Sequence, residues 1–152
     1  MAEVERIADQ LKRAFEGNAW HGPSVREVLT GVAAAQAARR PLRNAHTIWE
    51  IAVHIGVWEA FVRRRLEGEV ITDVPPEQDW PPITDTSEAA WKRTLAQLEE
   101  GHMRLQKVIA ALPESRLAET VQGMGYSVYF MLHGVVQHDL YHAGQIALLK
   151  KA

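Results

Sequence analysis

Apolar residues recur every three or four positions in four long segments of this sequence, with polar residues between them. That spacing is typical of amphipathic helices, which bury one face and expose the other. The four segments are residues 4–15, 48–68, 89–112 and 127–150. Because each segment must bury its apolar face against another element, the pattern predicts a bundle of four helices.

Pairs in which serine, threonine or aspartate precedes glutamate by three residues mark where helices begin, since the two side chains can cap the first turn reciprocally. The pairs are Ser24 with Glu27, Thr47 with Glu50, and Asp85 with Glu88. The first predicts a short helical turn that starts at Val25. The other two predict the starts of the second and third long helices.

The segments between the helices show neither the helical spacing of apolar residues nor the alternation typical of a strand. Residues 69–87 contain four prolines and predict a long crossing loop, and the glycines of "ETVQGMGYS" predict a second loop before the last helix. We find no convincing strand and no internal repeat. The sequence therefore predicts an all-α protein, a four-helix bundle with long crossing loops, in a single domain that spans residues 1–152.

Composition narrows the classes of partner. A chain of 152 residues can bury a self-sufficient core, and its net charge of -2 gives no reason to expect nucleic acid. No apolar run approaches a membrane span, so we expect a cytoplasmic protein with a small-molecule substrate. The chain has no cysteine, so a bound metal must be held by nitrogen and oxygen ligands.

The last helix contains the strongest chemical signal. His138 and His142 are four residues apart in "HDLYH", a spacing that places two side chains about 6 Å apart on one helix face, where both rings can reach one ion. Such a pair is equally consistent with two partly buried or surface histidines. Their apolar neighbours, among them Val135 and Ile146, favour a pair that points inward.

His54 is the natural third ligand, because it shares the second helix with a stripe that includes Ile51, Ile55 and Trp58. A lone histidine in that position is more often an ordinary core residue. Helix bundles, however, commonly build metal sites from side chains on facing helices. His54, His138 and His142 therefore predict a divalent metal site, with zinc or nickel as the expected ion and iron or manganese as alternatives.

The other histidines and Glu50 are weaker candidates for the metal site. His133, His46 and His102 are expected outside the site, His102 on the polar side of the third helix. His21 has two interpretations, a pocket residue or a loop residue beside a packed Trp20. Glu50 is either a base or fourth ligand near His54 or only a partner of Thr47 in the helix cap.

Three further features bear on the site and its surroundings. Asp139 takes the place of glutamate in a sequence that otherwise resembles the zinc-protease motif HExxH, so a peptidase is not expected. Gly134 and Gly144 indicate either close helix approach, within the bundle or across a dimer, or room for a ligand. Residues 63–65, three successive arginines, are expected at the solvated end of the second helix.

The stretches "NAWHGPS", "AHTIWEIAVHIGVWE" and "HGVVQHDLYHAGQIALLKK" together resemble the DinB family of bacterial damage-inducible proteins over nearly the whole chain. The resemblance implies a four-helix bundle, often a homodimer, in which three histidines hold a divalent metal. Carried over residue by residue, those histidines are His54, His138 and His142. The family is similar to bacillithiol S-transferases and to the mycothiol-dependent maleylpyruvate isomerase, which implies metal-activated thiol chemistry.

Three functions follow from these observations. The leading hypothesis is a metal-dependent S-transferase that joins a low-molecular-weight thiol to an electrophile in stress or detoxification. A hydrolase is the first alternative, because a three-histidine zinc site can lower the pKa of a bound water to about 7. The second alternative is a metal-binding stress protein without enzymatic activity.

Overall fold

The computed structural model of the protein describes residues 1–152 and contains seven α-helices, one 3-10 helix and no strand. The α-helices are α1 (Glu3–Glu16), α2 (Val25–Leu29), α3 (Ala34–Ala38), α4 (Ile48–Leu66), α5 (Pro76–Asp79), α6 (Glu88–Ala110) and α7 (Val128–Leu149). The 3-10 helix spans Glu114–Ala118. None of the helices combines the length and apolar character that crossing a bilayer requires.

The four long helices form the bundle expected from the sequence. Helices α4 and α1 each contact both α6 and α7, whereas neither α1 with α4 nor α6 with α7 forms a direct pair. The bundle is therefore a ring in which α1 lies diagonally opposite α4. The all-α fold class is confirmed.

Two of the three predicted helix caps are confirmed. The side chains of Ser24 and Thr47 accept hydrogen bonds from the backbone amides of Glu27 and Glu50, and each glutamate bonds back to the cap amide. The prediction for Asp85 was wrong, because Ser87 caps α6 and accepts from the Ala90 amide. Asp85 instead accepts from the Ser87 amide at 3.0 Å, which fixes the cap residue itself.

The sequence pattern did not predict the short helices α3 and α5. Helix α5 lies inside the proline-rich crossing segment and begins at Pro76, where proline is well tolerated because the first helical amide needs no partner. A single turn is too short to give a periodic signal. It nevertheless has a role in positioning the candidate site.

The interior consists of two separate apolar clusters. One includes Trp49, Ile55, Trp91 and Ile146, and the other includes Leu11, Val62, Leu105 and Leu132. Between the clusters, α4, α6 and α7 each place one ionisable side chain in the buried interior. We call this group the polar layer, and it consists of Glu59, His102 and Asp139.

His102 was expected on the polar side of its helix, and that prediction was wrong. Its side chain is fully buried, with Nδ1 2.9 Å from a carboxyl oxygen of Glu59 and its ring stacked on Phe15 at 3.9 Å between centroids. Its distances of four residues from Leu98 and three from Leu105 place all three side chains on one face. The polar layer thus interrupts a stripe that is otherwise apolar.

Burial determines the charge of the polar layer. It raises the pKa of Glu59 to about 8 and the pKa of Asp139 well above its ordinary value, and it lowers the pKa of His102 to about 4. The oxygens of an ionised Asp139 would have no donor within reach. Both carboxyls hold a proton at pH 7, which supplies a donor between them and leaves the layer nearly neutral.

This arrangement makes stability depend on pH. Between pH 6.5 and 8, folded Glu59 retains a proton that the unfolded chain has released, so the free energy of unfolding should fall as pH rises. His102 does not contribute there, because it is neutral in both states above its unfolded pKa. We expect Glu59→Gln, which keeps the shape without titrating, to reduce this decline and to leave the part due to Asp139, whose pKa is also raised. Each pKa unit is worth about 1.4 kcal/mol.

Urea unfolding followed by circular dichroism at several pH values would measure the decline. Glu100→Gln is the matched control, since this exposed glutamate pairs with Arg104 on the surface of the same bundle. Parallel loss of stability in the wild type and Glu59→Gln would contradict the assignment.

Candidate metal centre

The structure brings the three predicted histidines together, although they come from two helices. His54 of α4 and His138 and His142 of α7 each offer one nitrogen, and these nitrogens all lie within 4.8 Å of one another. The Nε2 atom of His138 is 3.0 Å from that of His54 and 3.1 Å from that of His142. His54 is 4% exposed and His142 6%, so the group lies largely out of water.

The partners of the outer nitrogens determine the tautomers. His54 Nδ1 lies 2.8 Å from the backbone oxygen of Asp79, and His142 Nδ1 lies 2.6 Å from the side-chain oxygen of Gln145. Both partners accept hydrogen bonds, so both Nδ1 atoms carry hydrogen. The Nε2 atoms of His54 and His142 therefore present lone pairs toward the centre of the group.

His138 cannot satisfy both of these lone pairs. Its Nε2 can carry at most one hydrogen, and its Nδ1 is buried with no hydrogen-bond partner. Three imidazole nitrogens so close together, with at most one hydrogen among them, suit a cation better than they suit one another. The donor set fits a divalent metal ion, which takes neutral imidazole nitrogens as ligands.

The electrostatic environment keeps these rings neutral. Burial, together with repulsion from His142 and His54, lowers the pKa of His138 to about 3. Burial also lowers the pKa values of His54 and His142. Coordination requires neutral histidine, so the folded chain holds all three rings in the binding form at neutral pH.

Sequence reasoning missed two residues that position His54. Asp79 and Trp80 lie at the end of α5, where the backbone of Asp79 accepts from His54 and the indole of Trp80 stacks on its ring at 3.7 Å. His46 stacks on the other face of Trp80 at 3.4 Å, so the indole lies between two imidazoles. The Trp58 indole N–H donates to an Asp79 carboxyl oxygen at 2.7 Å.

Glu50 is not among the residues that converge on this group. One of its carboxyl oxygens accepts from Arg40 at 2.7 Å and the other from the Thr47 amide at 2.7 Å. The Arg40 contact, the cap and the nearby His46 lower the pKa of Glu50 despite its partial burial. The helix-cap interpretation therefore accounts for both oxygens.

The remaining histidines lie outside the group of three nitrogens. His133 packs against Tyr129 with the two rings tilted, and His102 belongs to the polar layer. His21 is exposed in its loop, and the neighbouring Trp20 is fully exposed, so the expectation of a packed indole there was wrong.

A cavity of about 210 Å³ opens beside the histidines, between α4 and α7. His138 and Gly134 line it together with the largely apolar side chains of Trp58, Val62, Phe130, Met131 and Val135. No atom lies within 4 Å of where a Cβ on Gly134 would be, and the same holds for Gly144. Close packing within the chain therefore explains neither glycine, and at Gly134 the alternative of room for a ligand fits.

Comparison with known proteins gives one result. A family model described as the DinB superfamily matches residues 19–146, which include all three histidines. No curated protein and no solved structure gave a significant match to the chain. The match covers more than half of the chain, and DinB-like proteins bind metals.

We expect His54→Ala, His138→Ala and His142→Ala each to abolish stoichiometric metal binding, because two imidazoles remain in each variant. Elemental analysis of the purified proteins measures this directly. His133→Ala is the matched control on the same helix and should retain the metal. A full metal equivalent in His54→Ala would show that the third ligand is assigned wrongly.

Gln145→Leu should weaken metal binding without abolishing it. The substitution removes the acceptor that fixes the tautomer of His142, and losing such a partner typically costs about 10–100-fold in affinity. Competition with a chromogenic chelator would give the change. Gln137→Leu, on the exposed surface of the same helix, should leave the affinity unchanged, and equal affinities for both variants would exclude this role for Gln145.

Proposed function

Because the chain belongs to the DinB superfamily, we propose that it is a metal-dependent S-transferase that joins a low-molecular-weight thiol to an electrophile. His54, His138 and His142 would hold the ion, with zinc or nickel expected and iron or manganese as alternatives. A role in stress or detoxification, in the cytoplasm, is part of the proposal. Nucleic acid is not proposed as a partner, since the chain is nearly neutral overall.

The cavity beside His138 is the observation on which the proposal rests. Its walls are mainly apolar, and it gives a small molecule access to one face of the histidine group. Storage of a metal would require no such space. The cavity therefore favours an enzyme over a metal-binding protein without activity.

The chemistry follows from what the chain contains. A divalent ion bound by three neutral imidazoles supplies positive charge that favours a thiolate over a thiol. The chain has no cysteine that could act as nucleophile itself. In the proposed reaction the sulfur of the substrate forms a bond to an electrophilic carbon, the thiol proton passes to solvent, and the electrophile's leaving group departs with the bonding electrons.

The contacts of Glu50 weigh against the hydrolase alternative. A hydrolase of this type would need a free base near the site, and Glu50 was the candidate from the sequence. Its two oxygens are engaged by Arg40 and the Thr47 amide. Oδ1 of the other nearby acidic group, Asp79, accepts from Trp58 and lies 3.1 Å from His54 Nδ1, on the side of the ring away from the converging nitrogens.

Replacing the ion with cobalt makes the proposal testable by spectroscopy. Titration with bacillithiol, mycothiol or 2-mercaptoethanol should produce a sulfur-to-metal charge-transfer band, because the thiolate would bind at the open position. The band should be absent in His142→Ala and with ethanolamine, which lacks sulfur. If no thiol changes the cobalt spectrum while an ester or amide is turned over, the hydrolase replaces the transferase.

We also propose that the protein is a homodimer that associates through α7. Tyr141 and Leu148 are exposed on that helix, and Gly144 lies between them with nothing packed against it in its own chain. These three positions recur at helical spacing, so they form one stripe. A glycine in such a stripe permits the close approach of a second helix.

Light scattering at micromolar concentration should give twice the 17.1 kDa chain mass. Gly144→Glu should yield monomers with unchanged helicity, because a bulky charge would enter the interface while leaving the bundle core intact. Gly101→Glu, at an open position on α6, is the control and should stay dimeric. A wild-type mass of one chain would rule out the dimer.

A further inference from the structure

Residues 63–65 were expected at the solvated end of the second helix, and for Arg65 that expectation was wrong. Its neighbours Arg63 and Arg64 pair on the surface with Glu67 and Glu69. Arg65 points inward, is 7% exposed and lines the same cavity as His138. It therefore places a positive charge inside a pocket whose other walls are largely apolar.

The acceptors around Arg65 are all neutral. Its Nε and Nη2 donate to the backbone oxygen of Ile71 at 3.1 and 2.7 Å, and Nη1 donates to the Tyr126 hydroxyl at 3.1 Å. The guanidinium also lies 4.0 Å from the sulfur of Met124 and over the Trp58 ring, with its carbon 6.0 Å from the ring centroid. No carboxylate lies within ion-pair distance, so the charge has hydrogen bonds but no counter-ion.

Two donors on this wall of the cavity remain available. A guanidinium has five N–H groups, and the neighbours of Arg65 leave one hydrogen on Nη1 without an acceptor. The Tyr126 oxygen accepts from Arg65, so its own hydrogen is free to donate. A carboxylate accepts two such bonds at once and would supply the missing negative charge.

The spacing between Arg65 and the histidines defines the rest of the ligand. Helices α4 and α7 run antiparallel, since His54 faces His138 while Arg65 contacts Tyr126 just before α7. Trp58 lies between the two ends of the cavity, since its ring centroid is 5.9 Å from that of His138 and 6.0 Å from the guanidinium carbon of Arg65. Between these two ends the cavity is lined by Val62, Met131 and Val135.

We propose that this cavity binds an amphipathic carboxylate, whose carboxylate group is held by Arg65 and Tyr126 and whose apolar body extends past Trp58 toward His138. If the proposed S-transferase function is correct, the far end carries the reacting atom, and one of the two substrates is such a carboxylate. The preference for a carboxylate does not itself depend on the transferase activity. Arg65 is then a residue that determines specificity.

Octanoate is a suitable probe, and 1-octanol is its neutral counterpart of equal chain length. Isothermal titration calorimetry with the zinc-loaded whole chain should show octanoate binding at least about tenfold tighter than 1-octanol. Arg65→Gln should reduce octanoate to the affinity of the alcohol, and Tyr126→Phe should weaken it severalfold. Arg64→Gln, which removes an exposed arginine of the same helix, is the control and should bind as the wild type does.

Gly134→Leu tests the location independently of Arg65, because the new side chain would enter the cavity where no atom opposes a Cβ. It should abolish binding of both probes while circular dichroism stays unchanged. If Arg65→Gln fails to fold, the proposal is still tested by Tyr126→Phe, by Gly134→Leu and by the ratio of the octanoate and 1-octanol affinities of the wild type. Equal affinities for octanoate and 1-octanol, or unaltered octanoate binding by Gly134→Leu, would overturn the proposal.

A carboxylate could also bind at the metal, and the cobalt-loaded protein separates the two modes. Octanoate held by Arg65 should leave the cobalt spectrum essentially unchanged. A spectral change that persists in Arg65→Gln would overturn the proposal in favour of binding at the ion. The proposed carboxylate binding and the proposed S-transferase function can fail independently. A protein without a preference for octanoate could still bind thiols at cobalt, and a protein that binds no thiol could still prefer octanoate over 1-octanol.

Discussion

An apolar interior accepts an ionisable side chain only if that side chain has a partner, and this constraint shapes the middle of the bundle. Between two apolar clusters, α4, α6 and α7 place Glu59, His102 and Asp139 in the core. This polar layer resolves the constraint internally, because both carboxyls keep their protons and the imidazole is neutral. The three histidines nearby cannot do the same, since at most one hydrogen is available for their converging nitrogens. The difference separates a structural polar cluster from one that suits a cation.

Local sequence signals were sufficient for the architecture. Helical periodicity located the four long helices, and the Ser24 and Thr47 boxes located two helix starts, because both signals depend on neighbours within one or two turns. The same periodicity also places His102 on the apolar face of its helix, with Leu98 and Leu105. The prediction put His102 on the polar face only because its side chain is polar. For the short helices α3 and α5 the sequence offered no comparable signal, since one turn has no measurable period.

Only part of the candidate site could be predicted from local sequence signals. HxxxH on one helix and a histidine on the facing stripe of another could be paired, because bundle geometry brings such faces together. Asp79 and Trp80 could not be assigned, because the path of a proline-rich segment across the bundle depends on long-range packing. Arg65 was misplaced for a related reason: at a helix end, the direction of a long side chain is set by the loop that follows, here by the carbonyl of Ile71.

The distance along the chain between His54 and His138, 84 residues, has a consequence for biosynthesis. At about 5–20 residues per second, a ribosome adds the first histidine of the pair about 4–17 s after His54. During that interval the growing chain offers an ion a single imidazole from this group, and the nitrogens converge only once α7 docks against α4. Binding of an ion by all three histidines would therefore have to wait until α7 has been synthesised and has docked against α4.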